Sequence, residues 1–245
     1  MIWYSRPTPS VPIGQRIYAI GDIHGRLDLL DHLLRAIVTD DEERGPIRRR
    51  TLIFLGDYVD RGADSSGVIE RLITGMPYDF ECVCLKGNHE EMLMQSIIDP
   101  AMLNIWASNG GLETLASYGI SAGAKDVDTR PQYLADTLAA AMPDRHLSFL
   151  EGLSLSVTFG DYLFVHAGVH PALPLTAQRK EDCLFIREPF LSHRGSFGKI
   201  VVHGHTPVPK PEVKSNRIGI DTGAFFTGRL TALRLEGDSR GFLAT

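Results

Sequence analysis

The first hundred residues alternate between short apolar runs and longer segments with a helical period of apolar residues. Three runs have the length and apolar character of buried strands: RIYAI (16–20), TLIFL (51–55) and FECVCL (80–85). A helical period follows each run, at residues 26–38, 67–76 and 90–98. Strand–helix–strand units of this kind form right-handed crossovers and place their strands parallel in one sheet. The pattern therefore predicts an α/β fold.

The second half of the chain predicts a helical insertion followed by more strands. Residues from about 100 to 150 carry helical periods without strand runs, which indicates an inserted or capping helical region. Strand candidates then follow at 153–157, 162–166, 199–203, 217–221 and 229–235. Their short spacing favours hairpins and a mixed second sheet. We expect a loose, Pro-rich N-terminal arm over residues 1–15 and a single domain over residues 16–245.

Composition limits the classes of partner. A formal net charge of −5 argues against general attraction to nucleic acid or to an anionic membrane. The N-terminus has no apolar signal core, and no window approaches the roughly 18 apolar residues that a membrane span needs. We therefore expect a cytoplasmic protein that binds neither nucleic acid nor membrane. The sequence does not indicate an oligomeric state.

Two further features have structural interpretations. The charged run DDEERGPIRRR (40–50) is typical of a solvated loop. The three cysteines, Cys82, Cys84 and Cys183, lack zinc-ribbon spacing. We predict that they are buried free thiols.

Polar residues follow the first three apolar runs at the point where each strand should end. The turns read GDIHG (21–25), GDYVDRG (56–62) and GNHE (87–90), and they supply Asp22, His24, Asp57, Asp60, Asn88 and His89. Glycine allows the sharp turn that such a loop needs. Because sites in open α/β sheets form at the carboxyl ends of strands, these six side chains should face one crevice.

Two later strands also end in histidine. YLFVH ends on His166, and KIVVHGH carries both His203 and His205. Each turn alone has a structural explanation, as a helix N-cap, an Asn turn or a packed histidine. Five strand ends that all carry nitrogen or oxygen ligands are hard to explain by coincidence. The sequence therefore predicts a shared site.

The predicted ligands suit a pair of divalent metal ions. Carboxylate, imidazole and carboxamide groups together favour Mn, Fe or Zn. They are too many for one ion, and two ions that share a carboxylate can hold the oxygens of an in-line displacement. Two divalent ions outweigh the charges of Asp22 and Asp57, so a phosphate would be attracted locally. Arg61 and Arg187 could hold it in bidentate geometry, although a surface salt bridge explains Arg187 equally well.

The motifs GDIHG, GDYVDRG, GNHE, VHAG and GHTP, in this order, resemble the calcineurin-like metallophosphoesterases. Within them the chain is similar to the phosphoprotein phosphatases, especially short bacterial and phage members. The resemblance runs from about residue 16 to 225. It implies an α/β/β/α sandwich of two mixed sheets flanked by helices, and a metal-dependent phosphomonoesterase activity.

The resemblance also implies a role for each matched residue. The implied metal ligands are Asp22, His24, Asp57 (bridging), Asn88, His166 and His205. His89 would be the general acid, oriented by Asp60, and Arg61, Arg187 and Asn88 would hold the substrate phosphate. The implied cofactors are two divalent ions, with Mn favoured over Fe or Zn. A hydroxide held by both ions would attack phosphorus directly, without a phosphoenzyme.

Three points stay open at the level of sequence. His203 and His205 compete for one ligand role, and the GHT motif matches His205. Pro207 stands where many relatives have a further histidine, and IDTGAFF replaces the C-terminal signature of the eukaryotic enzymes. The WASNGG segment (106–111) resembles a segment near the substrate groove of bacterial members, but helix capping explains it nearly as well.

The substrate class is open as well. The leading candidate is a phosphorylated protein, with serine/threonine or dual specificity, and a small phosphoester is a related choice. A dinucleoside polyphosphate such as diadenosine tetraphosphate is the alternative, although enzymes of that branch tend to lack the second Asp of GDYVD, here Asp60. A non-catalytic binding module is the third and least favoured interpretation, because every ligand position is filled.

Overall fold

Two five-stranded sheets form the centre of the protein. The computed structural model describes residues 8–245. The strands are β1 (Gln15–Ile20), β2 (Arg49–Phe54), β3 (Phe80–Cys84), β4 (Ser156–Phe159), β5 (Tyr162–Val165), β6 (Ile200–His203), β7 (Glu212–Val213), β8 (Arg217–Gly219), β9 (Thr231–Glu236) and β10 (Ser239–Ala244). The first sheet has the order β10-β9-β1-β2-β3 and the second β4-β5-β6-β8-β7. Strands β1, β2 and β3 are parallel, as are β5, β6 and β8.

The helices include a continuous helical region between β3 and β4. They are α1 (Leu27–Glu43), α2 (Ser65–Thr74), α3 (Asn88–Ile98), α4 (Leu103–Trp106), α5 (Leu112–Ser117), α6 (Ala124–Thr129), α7 (Pro131–Ala141), α8 (Asp144–Glu151), α9 (Lys180–Phe185) and α10 (Ala224–Thr227). Short 3₁₀ turns lie at Pro100–Met102 and Leu175–Ala177, and a π-helical turn lies at Ala107–Gly111. The helical insertion expected at about 100–150 is therefore confirmed. No helix within residues 8–245 has both the length and the apolarity to span a membrane.

The layers follow from side-chain alternation along the strands. In β1, Tyr18 and Ile20 pack into the core cluster under the helices, whereas Ile17 and Ala19 pack into a second cluster. Residues of the second sheet, such as Phe164, join this second cluster, so it lies between the sheets. The outer face of the second sheet, with Leu163, Val165 and Val201, packs on a third cluster that includes Phe190 and Cys183. This arrangement confirms the predicted sandwich of two mixed sheets flanked by helices.

Most strand candidates overlap the observed strands closely, but β4 (Ser156–Phe159) lies later than the candidate at 153–157, and the prediction near the C-terminus was wrong in part. The candidate at 229–235 is β9, but it lies antiparallel to β1 in the first sheet rather than in the second. Leu233 and Leu235 of β9 pack between the sheets, and Ala232 packs under the helices, so β9 has apolar residues on both faces. Two strands were not predicted. β7 spans only two residues, and β10 alternates only weakly between apolar and polar residues.

Two local predictions were wrong. The charged run at 40–50 is not a solvated loop, since α1 continues to Glu43 and β2 begins at Arg49. Asp41 is buried because it forms ion pairs with Arg16 and Arg50, both at 2.6 Å. The cysteines are free thiols as predicted, but only Cys183 is buried, whereas Cys82 on the edge strand β3 is exposed.

The predicted N-terminal arm is described only from residue 8. Ser10 N donates to the Asp161 carboxylate at 2.9 Å, and Val11 is buried in the cluster between the sheets. Ser10 and Val11 therefore pack against the domain. Residues 1–7 lie outside the described part of the chain, and the division at residue 15 stays a prediction.

Candidate functional site

The loops that follow β1, β2 and β3 lie against one another at the carboxyl ends of the strands. The amides of Ile23 and His24 both donate to Asp57 O, at 3.0 and 2.8 Å. A Cβ on Gly56 would lie 2.5 Å from Gly87 N, and a Cβ on Gly87 would lie 2.2 Å from Asp57 Oδ1. Glycine is therefore required at both positions, because the two loops approach more closely than a side chain permits.

Unusual backbone conformations concentrate in these loops. Between residues 8 and 245, six non-glycine residues have a positive φ, and five of them are predicted site residues: His24, Asp57, Asp60, Arg61 and His205. Each such conformation costs free energy, so it persists only where surrounding contacts impose it. This strain is a signal of function that is independent of the motifs.

Asp57 lies at the centre of the predicted ligands. Its carboxylate oxygens lie 3.4 Å from His166 Nε2, 3.6 Å from His24 Nε2 and 3.9 Å from His89 Nε2. The ligand atoms of His24, Asp57 and His89 lie within 4.8 Å of one another, as do those of Asp57, His166 and His205. Asp57 therefore belongs to two adjacent groups of potential metal ligands.

The imidazoles of His24 and His166 present lone pairs to this centre. His24 Nδ1 lies 2.8 Å from Val59 O, and His166 Nδ1 lies 2.9 Å from Leu55 O. A carbonyl oxygen only accepts, so each Nδ1 carries the proton and each Nε2 is unprotonated in the neutral ring. Burial lowers the pKa of His24 to about 3 and lowers that of His166 as well. Both rings are therefore neutral at neutral pH, and each offers a lone pair to the centre.

Asn88 joins two of the histidines. Its Oδ1 lies 2.9 Å from His166 Nε2 and 2.8 Å from His205 Nδ1. Burial lowers the pKa of His205 to about 3, so this ring is also neutral. The amide can take either orientation by a flip. With the oxygen turned to the histidines, Asn88 could offer a third ligand atom beside the Asp57 carboxylate.

Asp22 faces a second buried carboxylate, Asp221, which the sequence analysis missed. Asp22 Oδ2 accepts from His205 N at 3.0 Å, and Asp221 Oδ1 accepts from Gly223 N at 2.8 Å. Burial raises the pKa of Asp22, and the Asp221 and Asp57 carboxylates raise it further. Burial likewise raises the pKa of Asp221 to about 6. Asp221 ends the strand candidate at 217–221, so the strand-end pattern could have identified it.

The donor set fits divalent cations. Between residues 8 and 245, no Lys or Arg forms an ion pair with Asp22, Asp57 or Asp221, although all three are buried. Arg61 Nη1 lies 2.9 Å from His24 Nε2 and places one guanidinium beside the centre. Buried carboxylates and imidazole lone pairs that converge in this way need compensating positive charge. Their oxygen and nitrogen atoms suit Mn, Fe or Zn.

His89 is held differently from the other histidines. Its Nδ1 lies 2.6 Å from Asp60 Oδ2, and both residues are buried. Burial lowers the pKa of His89, but the Asp57 and Asp60 carboxylates outweigh burial and raise it above its usual range. Burial raises the pKa of Asp60, and its hydrogen bonds offset this only in part. His89 Nε2, the ring nitrogen not bonded to Asp60, lies 3.9 Å from Asp57 Oδ2.

A cleft of about 600 Å³ opens over the site. Arg61 and Arg187 both line it, and Arg187 is exposed. The predicted alternative for Arg187, a surface salt bridge, is not found among the ion pairs within residues 8–245. The rim carries the exposed apolar side chains of Ile105, Phe185 and Phe226.

The structure brings His205, and not His203, into the site. His203 is buried against Phe190, with 5.0 Å between ring centroids, and its Nδ1 lies 3.0 Å from Gly204 O. Its Nε2 lies 3.3 Å from Arg217 Nη1, and His203 belongs to neither group of potential metal ligands found within residues 8–245. This placement agrees with the GHT motif.

Glu90 of the GNHE turn has a supporting role that its sequence position did not reveal. Its carboxylate is fully buried and accepts from the amides of Asp57, Tyr58 and Gly87 at 2.7–2.9 Å. In return, Asp57 Oδ1 accepts from His89 N at 3.1 Å. These reciprocal bonds fix the second and third loops relative to each other. Trp106 and Thr114, which contact Asp60, were also missed because their partners are distant in sequence.

Known proteins resemble the chain over nearly its whole length. It is 30% identical over 232 residues to asymmetrical bis(5'-nucleosyl)-tetraphosphatase PrpE of Anoxybacillus flavithermus, with 88% of each chain covered. It is 27% identical over 229 residues to serine/threonine-protein phosphatase 1 of Salmonella typhimurium, with 91% of this chain and 93% of the relative covered. A crystal structure provisionally assigned as a diadenosine tetraphosphatase superposes with a TM-score of 0.65 at 23% identity, and covers 97% of this chain and 98% of that one.

The family model for the calcineurin-like phosphoesterases matches residues 15–227. This span contains every predicted site residue. The match, the two-sheet fold and the grouped His and Asp ligands agree with the resemblance seen in the sequence. The chain therefore belongs to the calcineurin-like phosphoesterases, enzymes that use divalent metal ions to hydrolyse phosphoesters.

Proposed function

We propose that this protein is a metal-dependent phosphomonoesterase that acts on phosphorylated serine or threonine side chains of proteins. The observation that carries the proposal is the buried Asp60–His89 pair, at 2.6 Å, beside the ligands around Asp57. An alkoxide is a poor leaving group and gains much from protonation, whereas a nucleotide phosphate leaves readily without it. An oriented acid is therefore most useful to an enzyme that cleaves alkyl phosphate monoesters.

The metal-holding residues in this proposal are those predicted from the sequence. They are Asp22, His24, Asp57, Asn88, His166 and His205, with Asp57 shared between two ions. Mn is the first choice, with Fe and Zn as alternatives. When bound, two such ions would supply positive charge to the phosphate oxygens and lower the pKa of a bound water. The neutral rings of His24, His166 and His205 are ready to bind without losing a proton.

His89 protonates the leaving oxygen in this proposal. Its Nδ1 is bonded to Asp60, so its Nε2 is the atom that carries the transferable proton. A carboxylate–histidine pair can also orient a metal-bound imidazole, and His89 Nε2 lies within one of the two ligand groups. Two observations favour the acid role. The Asp60 carboxylate, 2.6 Å from Nδ1, stabilises the protonated ring, and His89 Nε2 lies 3.9 Å from Asp57, farther than His24 Nε2 or His166 Nε2.

Arg61 and Arg187 hold the phosphate together with Asn88. Both guanidiniums line the cleft above Asp57, and the planar fork of arginine matches two phosphate oxygens. The Arg61 guanidinium now donates to His24 Nε2 and lies 4.9 Å from the ring centroid of Phe225. A metal bound to that lone pair would displace the guanidinium from His24. Arg61 lines the cleft, where it could then hold a phosphate oxygen.

A dinucleoside polyphosphate is the second candidate substrate. The exposed rings of Phe185 and Phe226 at the rim of the cleft could stack on a nucleobase, because every base has a π face. The relative of 30% identity is a bis(5'-nucleosyl)-tetraphosphatase. The phosphoprotein reading rests instead on Asp60 and His89.

An assay panel in the presence of Mn²⁺ separates the two candidates. Phosphoserine and phosphotyrosine peptides, 4-nitrophenyl phosphate and diadenosine tetraphosphate are compared by kcat/KM, with EDTA-treated enzyme as the control. We expect hydrolysis of the phosphoserine peptide to exceed that of diadenosine tetraphosphate by at least about tenfold. A preference of that size for the dinucleotide would overturn the proposal in favour of the second candidate.

A further inference from the structure

The helical insertion also contacts the buried side of the Asp60–His89 pair, through Trp106 and Thr114. We propose that the segment Trp106–Thr114 positions the general acid, and that Trp106 and Thr114 are positioning residues for hydrolysis of esters with poor leaving groups. The inference rests on the proposed acid role of His89. It assigns a catalytic contribution to the insertion, which lies outside the strand-end motifs.

Three side chains donate to the Asp60 carboxylate. His89 Nδ1 lies 2.6 Å from Oδ2, Thr114 Oγ1 donates to Oδ1 at 2.6 Å, and Trp106 Nε1 lies 3.0 and 2.9 Å from Oδ1 and Oδ2. Asp60, Trp106 and Thr114 are fully buried, so water does not replace these bonds. One of the three donors is His89 itself. The other two, Trp106 and Thr114, come from the insertion and fix the Asp60 carboxylate that orients His89.

The same segment also holds the backbone of Asp60 and Arg61. Asp60 N is bonded to Thr114 Oγ1 at 2.9 Å and to Ser65 Oγ at 3.0 Å, and Arg61 N donates to Gly110 O at 3.0 Å. Asp60 and Arg61 both have positive φ, at 73° and 67°. Strained conformations of this kind need external contacts to persist. The insertion provides several of them.

Two glycines allow this close packing, Gly110 against Arg61 and Gly111 against the Trp106 ring of the same segment. A Cβ on Gly110 would lie 2.6 Å from Arg61 Cγ, and a Cβ on Gly111 would lie 2.5 Å from Trp106 Cδ2. Gly110 also has φ 105°, which interrupts the helix within the π-helical turn. Such turns occur frequently at functional sites. The WASNGG sequence is therefore explained by contact with Asp60 and Arg61 rather than by helix capping alone.

The donors act on catalysis through orientation. Hydrogen bonds to both oxygens fix the plane of the Asp60 carboxylate. Oδ2 then holds the His89 ring with Nε2 toward the metal-binding centre. Removal of either insertion donor leaves Asp60 free to turn and His89 less well aimed at the leaving oxygen. General-acid catalysis contributes about 10²–10⁴-fold, so partial misalignment should remove about tenfold of it. Esters with good leaving groups need little protonation and should be affected much less.

The test compares phenyl phosphate, a poor leaving group, with 4-nitrophenyl phosphate, a good one, in Mn²⁺-loaded enzyme. Trp106→Phe removes the indole N–H but keeps a ring, and Thr114→Val removes the hydroxyl with little change of shape. We expect each variant to lose about tenfold in kcat/KM on phenyl phosphate and less than about threefold on 4-nitrophenyl phosphate. Thr114→Ser, which keeps the hydroxyl, should restore the wild-type ratio.

Two controls separate positioning from folding and from the proposed function. Tyr118→Phe removes a hydrogen bond to His146 within the same insertion, away from Asp60, and should leave the ratio unchanged. His89→Asn should show the largest split between the two esters. Equal losses on both esters in Trp106→Phe and Thr114→Val, with the His89→Asn split intact, overturn the inference alone. An absent split in His89→Asn removes the acid role and the inference with it.

Discussion

His203 and His205 offer a matched pair of substitutions two positions apart. His205 Nδ1 lies 2.8 Å from Asn88 Oδ1, within a group of potential ligands that includes Asp57 and His166. His203 is buried against Phe190 and belongs to neither group of potential ligands within residues 8–245. Each is replaced by alanine. The two variants should fail in opposite ways, one in metal binding and the other in stability.

The structure sets the size of each effect. Loss of a residue that only supports a metal ligand typically costs 10–100-fold in affinity, so loss of the ligand His205 should weaken one of two ions by about 100-fold or more. His203→Ala leaves a cavity beside the Phe190 ring and the backbone of Gly219, whose Cβ position lies 3.1 Å from His203 Cε1. Burial of a ring of this size predicts a loss of about 2–4 kcal/mol in the free energy of unfolding.

Two measurements on each variant give the answer. Metal content after dialysis against a weak chelator should fall from two ions per chain to one in His205→Ala and stay at two in His203→Ala. Urea denaturation in EDTA should show the larger loss of stability in His203→Ala. If His203→Ala loses the ion and His205→Ala retains both, the ligand assignment is swapped and the reasoning from geometry fails.

Three further changes test other parts of the site and fold. Arg187→Ala should raise KM for phosphate esters about tenfold with little change in kcat, because a charged hydrogen bond is lost; unchanged kinetics would leave Arg187 a surface residue. Phe226→Ala should raise KM for diadenosine tetraphosphate more than for a phosphoserine peptide if the ring stacks on a base, and an equal effect would exclude stacking. Burial raises the pKa of Asp40, but hydrogen bonds from Tyr18 and other donors outweigh it and keep the pKa below its usual range. Its stabilising effect is therefore present above the unfolded pKa and lost as the pH falls through the folded pKa. Asp40→Asn should lower Tm at pH 7, and this difference should shrink as the pH falls below the unfolded pKa; a pH-independent difference would contradict this sign.

The strand-end residues could be predicted because their signal is local. A glycine and a polar residue directly after an apolar run identify the loop, and parallel strands bring such loops together. Asp22, His24 and Asn88 were found in this way. The same rule would have found Asp221, which follows the candidate strand at 217–221.

The supporting contacts could not be predicted because they join distant parts of the chain. Trp106 and Thr114 lie 46 and 54 positions from Asp60, and no local pattern links them. The helical period of the insertion was readable, but the π-helical turn depends on how closely Gly110 approaches Arg61. Ion pairs likewise determine the structure of the charged run at 40–50, since Asp41 of α1 is buried in an ion pair with Arg16 of β1, 25 positions earlier in the chain.

We propose that two metal ions share Asp57 while His89 remains a free acid. Anomalous diffraction from crystals grown with Mn²⁺ would locate both ions and their ligands. We predict two Mn peaks, one beside Asp22 and His24 and one beside Asn88, His166 and His205, with Asp57 between them and His89 bound to neither. A single peak, or a peak ligated by His89 Nε2, would rule out this assignment.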